Sequence, residues 1–194
     1  MFPEVDRVLV SEQQIRERVS ELAAEIAADL RDALARDGET VQDEDRVILI
    51  PIMTGAMIFA ADLIRQMPVK LSLGLVAVSS YPGESVTSKG ARLEGNLPAD
   101  LAGKHVVVID DILDSGRTLA MVRRLIEERS PASLRIAVLL DKKTRRAEEV
   151  AVDYVGFEIP DEFVVGYGLD FNGYYRNHPE IAVLRADAIP SRDA

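Results

Sequence analysis

The sequence contains no cysteine and only two histidines, His105 and His178. The absence of cysteine excludes disulfide bonds, thiolate zinc sites and a cysteine nucleophile. His105 stands at the polar start of a predicted strand, "GKHVVVID", and His178 in a turn, "RNHPE", so we interpret both as surface residues. A hydrolase that uses a Ser–His–Asp triad is therefore disfavoured.

Long apolar runs and an excess of basic residues are also missing. No segment approaches the ~18 apolar residues that span a bilayer, and "MFPEVDRVLV" lacks the basic start and apolar core of a signal peptide. The 23 Lys and Arg residues are outnumbered by 33 Asp and Glu residues, which gives a net charge of −10. Because nucleic-acid affinity comes largely from basic residues on phosphate, this charge argues against a nucleic-acid partner. We expect a cytoplasmic protein without a membrane partner.

The apolar residues follow two alternating patterns. They recur every three or four positions between Ser11 and Arg36, which predicts an amphipathic helix that starts with a capping box of Ser11 and Gln14. Other segments are uninterrupted apolar runs, typical of strands buried on both faces: 46–52, 106–109 and 134–140. The chain of 194 residues suits a single domain. The alternation predicts an α/β fold, with a parallel twisted sheet flanked by helices.

Two neighbouring segments, 69–80 and 81–100, have different patterns. Residues 69–80 are predicted as a further strand. Residues 81–100 are rich in Gly, Ser, Pro and charged residues and show no apolar period. A loop of that length inside a compact domain is usually a lid or a disordered segment.

The stretch "VVVIDDILDSGRTL" (106–119) joins a buried strand to a cluster of acids. Asp110 and Asp111 end the apolar run, and ligands of open parallel sheets bind beyond the carboxyl ends of the strands. Asp114 then leads through residues 115–118 into a helix N-terminus, where free N–H groups and the helix dipole favour an anion. Carboxylates accept hydrogen bonds from sugar hydroxyls, so the stretch suits a ribose 5-phosphate. The alternative is an N-cap at Asp114 with solvated acids before it, which leaves the adjacent pair unexplained.

Two common nucleotide-binding motifs are absent. The sequence has no G-x-x-x-x-G-K-[ST] loop, and "GYGLDFNG" (166–173) carries Phe171 where G-x-G-x-x-G requires its third glycine. Triphosphate and dinucleotide ligands are therefore disfavoured.

The acidic stretch resembles the 5-phosphoribosyl-1-diphosphate (PRPP) motif of the type I phosphoribosyltransferases. "LLDKKTRR" (139–146) and "VGFEIPDEFVVGYGLDFNGYYRN" (155–177) resemble the purine-base region of the hypoxanthine–guanine members. The resemblance runs from about Val8 to Leu184. It implies a core of about 40–150 with a small hood formed mainly by 1–12 and 155–194. It also implies transfer of a phosphoribosyl group from PRPP to a 6-oxopurine, with Mg²⁺ as cofactor.

The resemblance further implies roles for single residues. Asp110 and Asp111 would hold the ribose hydroxyls and form a Mg²⁺ site with Asp170, and Asp114 would accept the N7 proton as general base. The other expected contacts are Ser115, Gly116, Arg117 and Thr118 with the 5′-phosphate; Thr54, Gly55 and Arg176 with pyrophosphate; Lys142 with the 6-oxo oxygen, Phe163 with the base face and the Val164 backbone with the base edge; and Ser80 and Tyr81 in a closing lid.

Several of these residues also have a plainer interpretation. Without the resemblance, Lys142 would be a solvated lysine and Phe163 a core aromatic, and Arg145 and Arg146 are interpreted as solvated. The loop Met53–Thr54–Gly55 departs from the usual Leu-Lys-Gly of the family and has lost its lysine. The resemblance implies a non-proline cis peptide in this loop, whereas the plainer interpretation of Thr54 is a cap of a helix that starts at Gly55.

Alternative functions stay open at this level. One is a PRPP-sensing regulator on the same fold, which the acidic charge and the joint presence of Asp114, Lys142, Phe163 and Asp170 disfavour. Another is a transferase that prefers xanthine or guanine, because the sequence does not choose among the 6-oxopurines. The resemblance implies a homodimer or a homotetramer.

Overall fold

A computed structural model describes residues 2–79, 92–94, 96–144 and 146–188. The expected lid residues Ser80 and Tyr81, and Arg145, lie outside the described residues. The elements in chain order are β1 (Val5–Val10), α1 (Glu12–Arg36), β2 (Val47–Met53), α2 (Met57–Ile64), β3 (Ser72–Leu73), β4 (Val76–Ser79), β5 (Arg92–Glu94), β6 (His105–Leu113), α3 (Arg117–Glu127), β7 (Ser133–Asp141), β8 (Tyr154–Glu158), β9 (Val164–Val165), β10 (Ile181–Leu184) and a 3₁₀ turn (Ala186–Ala188).

The larger sheet is mainly parallel, which confirms the predicted fold class. Within the described residues its order is β5-β4-β2-β6-β7-β8, with β3 paired beside β2 and only β5 antiparallel to its neighbour. Alternate residues of the central strand β6 face opposite helix layers. Val107 and Ile109 pack with α1 and α2, whereas Val106 and Val108 pack with α3. The uninterrupted apolar run is therefore a strand buried on both faces.

Helix α1 has the predicted bounds and the predicted start. Ser11 accepts a hydrogen bond from the Gln14 N–H, and the Gln14 side chain returns to the Ser11 N–H, which completes the capping box. Its apolar stripe covers one face of the large sheet, and the Tyr154 hydroxyl on β8 donates to Asp29 at 2.6 Å. In the described part of the chain, none of the helices has the length and apolarity needed to cross a bilayer.

Strand boundaries differ from the sequence predictions at three places. Strand β6 continues through the acidic pair to Leu113, because its last residues pair with β7 as far as Asp141. The predicted strand 69–80 is divided into β3 and β4 around Gly74, whose N–H donates to Leu49 of β2. The region 81–100 contains strand β5, so the prediction of a loop without regular structure was wrong there.

A second, antiparallel sheet joins the two ends of the described chain. Its order is β1-β10-β9, and we call these three strands the hood sheet. Its own small core contains Val5, Val165, Ala182 and Leu184. The sequence analysis did not predict β1 or β10 as strands, because both are short and their partners are distant in sequence.

Both histidines are buried, so their interpretation as surface residues was wrong. His105 is the first residue of β6 and is enclosed between β2 and β7, with its Nδ1 atom 2.8 Å from the Ser133 hydroxyl oxygen. His178 lies beside the hood sheet with its ring against Phe2.

Candidate active site

A cavity of about 600 Å³ opens at the carboxyl ends of β2, β4 and β6. This is where an open parallel sheet binds its ligands. The structure brings the following expected site residues to its wall: Thr54, Gly55, Asp110, Asp111, Asp114, Ser115, Gly116, Thr118, Asp170 and Arg176.

Asp110 and Asp111 form an acidic pair within β6, rather than at its end as the sequence suggested, with Asp110 buried and Asp111 half-buried. The Asp111 N–H donates to Oδ1 of Asp110 at 3.1 Å. Burial raises the pKa of Asp110 well above its usual range, and the neighbouring Asp111 charge raises it further. Burial also raises the pKa of Asp111, although hydrogen bonds and the Arg176 charge oppose that shift. The pair therefore favours a ligand that brings hydrogen-bond donors or positive charge.

The loop after β2 forms the wall opposite Asp111. A Cβ atom at Gly55 would lie 1.8 Å from Oδ2 of Asp111, so a side chain here would displace the Asp111 carboxylate. The Met53–Thr54 peptide is cis, as the resemblance implied. Helix α2 begins at Met57, and no side chain of the described residues caps it. The plainer interpretation of Thr54 as a helix cap was therefore wrong.

Asp114 is half-buried and lines the cavity. Its Oδ1 atom is buried and has no hydrogen-bond partner within the described part of the chain. The N-cap of α3 is Gly116 and not Asp114, so the alternative of Asp114 as a cap was wrong. A buried acceptor without a donor costs about 1–3 kcal/mol.

The turn after Asp114 presents the start of α3. Gly116 has φ +82°, a left-handed conformation that glycine adopts without strain. None of the described side chains caps α3, so its first N–H groups are free for an anion beside Ser115 and Thr118. Arg117 is exposed and does not line the cavity.

Two charged residues behind this turn were missed by the sequence analysis. Arg146 donates to the main-chain carbonyl of Asp114 at 3.2 Å and makes an ion pair with Asp141. The interpretation of Arg146 as solvated was therefore wrong. The sequence carried one signal for this pair: in "DKKTRR" an acid directly precedes Lys142 and an arginine follows it four residues later.

The expected base-binding residues lie beside the cavity and are not part of its wall. Lys142 is buried, and its N–H donates to the Leu113 carbonyl at 3.0 Å, so it is not a solvated lysine. Phe163 is 36 % exposed and packs edge-on against Phe171 at a centroid distance of 5.4 Å. Its interpretation as a core aromatic was therefore wrong. Val164 is buried and pairs with Val183 in the hood sheet.

Asp170 and Arg176 form an ion pair on the hood side of the cavity, with Oδ1 and Nη2 2.7 Å apart. The other Asp170 oxygen accepts from the Gly173 N–H at 2.7 Å. Arg176 also donates to the Gly168 carbonyl at 2.5 Å, which fixes its guanidinium beside the acidic pair. This end of the cavity therefore holds one guanidinium group, which is paired with the Asp170 carboxylate.

The profile of the phosphoribosyl transferase domain family matches residues 17–172. The chain is 39 % identical over 170 residues to the hypoxanthine phosphoribosyltransferase of Haemophilus influenzae, covering 88 % of this chain and 90 % of that one. It is 42 % identical over 186 residues to the hypoxanthine-guanine phosphoribosyltransferase of Mycobacterium avium, covering 95 % and 88 %. Among solved structures, the hypoxanthine phosphoribosyltransferase of Trypanosoma cruzi in complex with the product IMP aligns with a TM-score of 0.86 at 34 % identity, covering 97 % and 99 %.

Proposed function

The chain belongs to the phosphoribosyltransferase family, and on that premise we propose that it is a purine salvage enzyme that transfers the 5-phosphoribosyl group of PRPP to a 6-oxopurine. The products are a nucleoside 5′-monophosphate and pyrophosphate. The relatives that carry the names hypoxanthine and hypoxanthine-guanine phosphoribosyltransferase cover most of this chain, and one solved neighbour holds the product IMP.

Asp114 on the cavity wall is the residue that supports this function most directly. It lies in one cavity with the acidic pair, which suits ribose hydroxyls, and with the α3 N-terminus, which suits a 5′-phosphate. A purine bound in this cavity would bring its N7 proton to the Asp114 carboxylate. Asp114 is then the general base that accepts this proton as the base attacks the ribose.

The charges around the cavity match the charges that develop in the reaction. The bond from the base nitrogen to C1′ forms while the bond from C1′ to the pyrophosphate oxygen breaks, and positive charge builds on the ribose. Carboxylates of Asp110 and Asp111 stabilise that positive charge, and Arg176 stabilises the leaving pyrophosphate. The preorganised groups need little rearrangement during the reaction.

The donor set of the cavity fits Mg²⁺. Asp110, Asp111 and Asp170 offer carboxylate oxygens, which Mg²⁺ prefers, and the raised pKa values of the pair fit a site that receives a cation. Among the residues that the structure describes, no three His, Cys, Asp or Glu side chains could hold a metal by themselves. We therefore expect substrate oxygens and water to complete the coordination. Bound Mg²⁺ would offset charge on pyrophosphate.

The assembly and the compartment are part of the same proposal. We propose that the protein acts in the cytoplasm as a homodimer or a homotetramer. Light scattering of the purified chain measures its oligomeric state directly.

A coupled assay with PRPP, Mg²⁺ and each of adenine, hypoxanthine, guanine and xanthine tests the function. Lys142 has donors and no acceptor, so it pairs with a 6-oxo group and not with the 6-amino group of adenine. Sites of this kind reject an analogue by factors of ~10⁴. We expect turnover of hypoxanthine or guanine and negligible turnover of adenine.

The matched control for this assay is Lys143→Gln, because Lys143 is exposed and pairs with Glu158. Lys142→Gln should reduce 6-oxopurine turnover, whereas Lys143→Gln should not. Appreciable adenine turnover would contradict the role of Lys142. A clear preference for xanthine would favour the alternative specificity, and PRPP binding without turnover would favour a regulator.

A further inference from the structure

A buried arginine stands behind the turn that carries Asp114. The Arg146 side chain is 13 % exposed, and its Nη1 donates to the main-chain carbonyl of Asp114 at 3.2 Å. Its Nη2 makes an ion pair with the Asp141 carboxylate, which is 11 % exposed. A guanidinium group holds its donors in one rigid plane, so a single side chain fixes both partners relative to each other.

The two partners belong to different parts of the site. Asp114 follows β6 and carries the unpaired Oδ1. Asp141 is the last residue of β7 and precedes Lys142. The sheet pairing of β6 with β7 ends at Leu113 and Asp141. Arg146 therefore continues the connection between the two strands beyond the end of the sheet.

The residues that follow Arg146 pack against the same turn. The N–H groups of Ala147 and Glu148 both donate to the Ser115 carbonyl, at 2.9 Å and 3.0 Å. A Cβ atom at Gly116 would lie 2.1 Å from the Glu148 carbonyl oxygen and 3.4 Å from Cδ of Arg146. Segment 146–148 thus contacts the turn directly on the side away from the cavity. The contact is so close that a side chain at Gly116 would not fit.

We propose that Arg146 is a positioning residue for the phosphoribosyl transfer, which holds the Asp114 carboxylate in register with the base that Lys142 contacts. The inference rests on the proposed function, because it concerns the same site. Arg146 does not line the cavity and acts through the Asp114 backbone and through Asp141. Without it, the turn loses its anchor and Asp141 is left as a buried charge beside Lys142.

Steady-state kinetics of Arg146→Gln test the proposal. A misplacement of about 1 Å near a reacting atom costs ~10²-fold in rate, so we expect kcat with hypoxanthine to fall by ~10–100-fold. The KM for PRPP should change much less, because the N–H groups at the start of α3 remain. Arg146→Lys should recover only part of kcat, because an ammonium group cannot reproduce the planar arrangement of donors.

The matched control is Arg123→Gln. Arg123 also bridges a carboxylate and a backbone carbonyl, on Glu127 and Ala151, away from the cavity. Its loss should leave kcat unchanged. Circular dichroism of each variant measures how much of the protein is folded.

A double-mutant cycle with Asp114→Asn separates positioning from general support of the fold. If Arg146 acts through Asp114, Arg146→Gln should cost little once the general base is already removed. An equal loss in both backgrounds, or an unchanged kcat in the single variant, would overturn the inference. If the wild-type chain turns over none of the 6-oxopurines, the proposed function is wrong and the inference fails with it.

Discussion

Asp110 and Asp111 hold two carboxyl groups in the interior of the central strand, where packing alone gives them no purpose. Burial and the neighbouring acid both favour the neutral form of Asp110. The loop opposite is adapted to them as well, because any side chain at Gly55 would collide with Asp111. This agrees with the proposal that the pair serves a ligand that supplies donors or positive charge, such as ribose hydroxyls and Mg²⁺.

Asp114→Asn tests the general base at the level of a single residue. General acid–base catalysis contributes ~10²–10⁴-fold, so we expect kcat to fall by that factor. PRPP binding should persist, since asparagine has nearly the same shape. The N-cap of α3 is Gly116, so the start of the helix does not depend on residue 114. Kinetics and calorimetry with PRPP measure the two effects. A loss of less than about threefold would contradict the role of general base.

Thr54→Lys tests the consequence of the missing lysine. Thr54 lines the cavity and carries no charge, so under the proposed function we expect pyrophosphate to depend on backbone N–H groups, Arg176 and Mg²⁺. A new charged donor is worth about 1.5–3 kcal/mol, so we expect about tenfold tighter pyrophosphate binding or more at limiting Mg²⁺. The dependence of activity on Mg²⁺ should become weaker.

Calorimetry with pyrophosphate at several Mg²⁺ concentrations measures this change. Thr54→Gln is the matched control, because it adds length and polarity without charge. Unchanged affinity for both PRPP and pyrophosphate in Thr54→Lys would show that this loop position does not contact the leaving group.

At the scale of elements, His105 connects the start of β6 to the start of β7 and to the end of α1. It is 3 % exposed, and its Nδ1 lies 2.8 Å from the Ser133 hydroxyl oxygen on β7. Its Nε2 approaches Oδ2 of Asp37, at the end of α1, to 3.2 Å without the alignment of a hydrogen bond. Burial lowers the pKa of His105 below its ordinary 6.5; Asp37 opposes this shift, and Arg135 and Arg46 add to it.

The lowered pKa of His105 predicts the direction of a pH effect on stability. Below about pH 6.5 the unfolded chain binds a proton that the folded chain does not, so the free energy of unfolding decreases as the pH falls. His105→Asn does not titrate and should lose less stability between about pH 7.5 and pH 5.5 than the wild type. Urea unfolding at both pH values measures the difference. Equal losses in the two proteins would show that His105 is not the source.

The elements predicted correctly from sequence are those with local signals. Helix α1 carries its own capping box and its own apolar period, and the buried strands carry unbroken apolar runs. The end of β6 carries no such signal, because its pairing with β7 decides where the strand stops. Arg146 was misinterpreted for the same reason. Its burial depends on Asp114 and Asp141, which the local pattern of charges does not identify as partners.

At the scale of the whole molecule, the cavity depends on both sheets. Most of its wall comes from the large sheet, whereas Asp170 and Arg176 follow β9 and precede β10 of the hood sheet. The two parts touch through their backbones, since a Cβ atom at Gly168 would lie 2.2 Å from the Gly55 carbonyl oxygen. The Tyr167 hydroxyl also donates to Asp62 on α2 at 2.7 Å. Activity therefore requires a fixed arrangement of the two sheets.

The largest hydrophobic cluster crosses the boundary between the two sheets. It contains residues of α1, α2 and the large sheet, and also Val164, Ile181 and Val183 of the hood sheet. Apolar residues that share one cluster lose their partners together when either part opens. We therefore predict that the described fold unfolds as one cooperative unit, in agreement with the single domain expected from the sequence.

A matched pair of substitutions tests this cooperativity, because Ile109 on β6 and Ile181 on β10 are both fully buried in that cluster. Each change to alanine should lower the free energy of unfolding by about 2–5 kcal/mol. Both should shift the whole denaturation curve, with far-UV circular dichroism and tyrosine fluorescence giving the same midpoint. A hood sheet that folded independently would respond differently. Ile181→Ala would then split the curve into two transitions, with the hood sheet unfolding first. Ile109→Ala would leave the transition of the hood sheet unchanged.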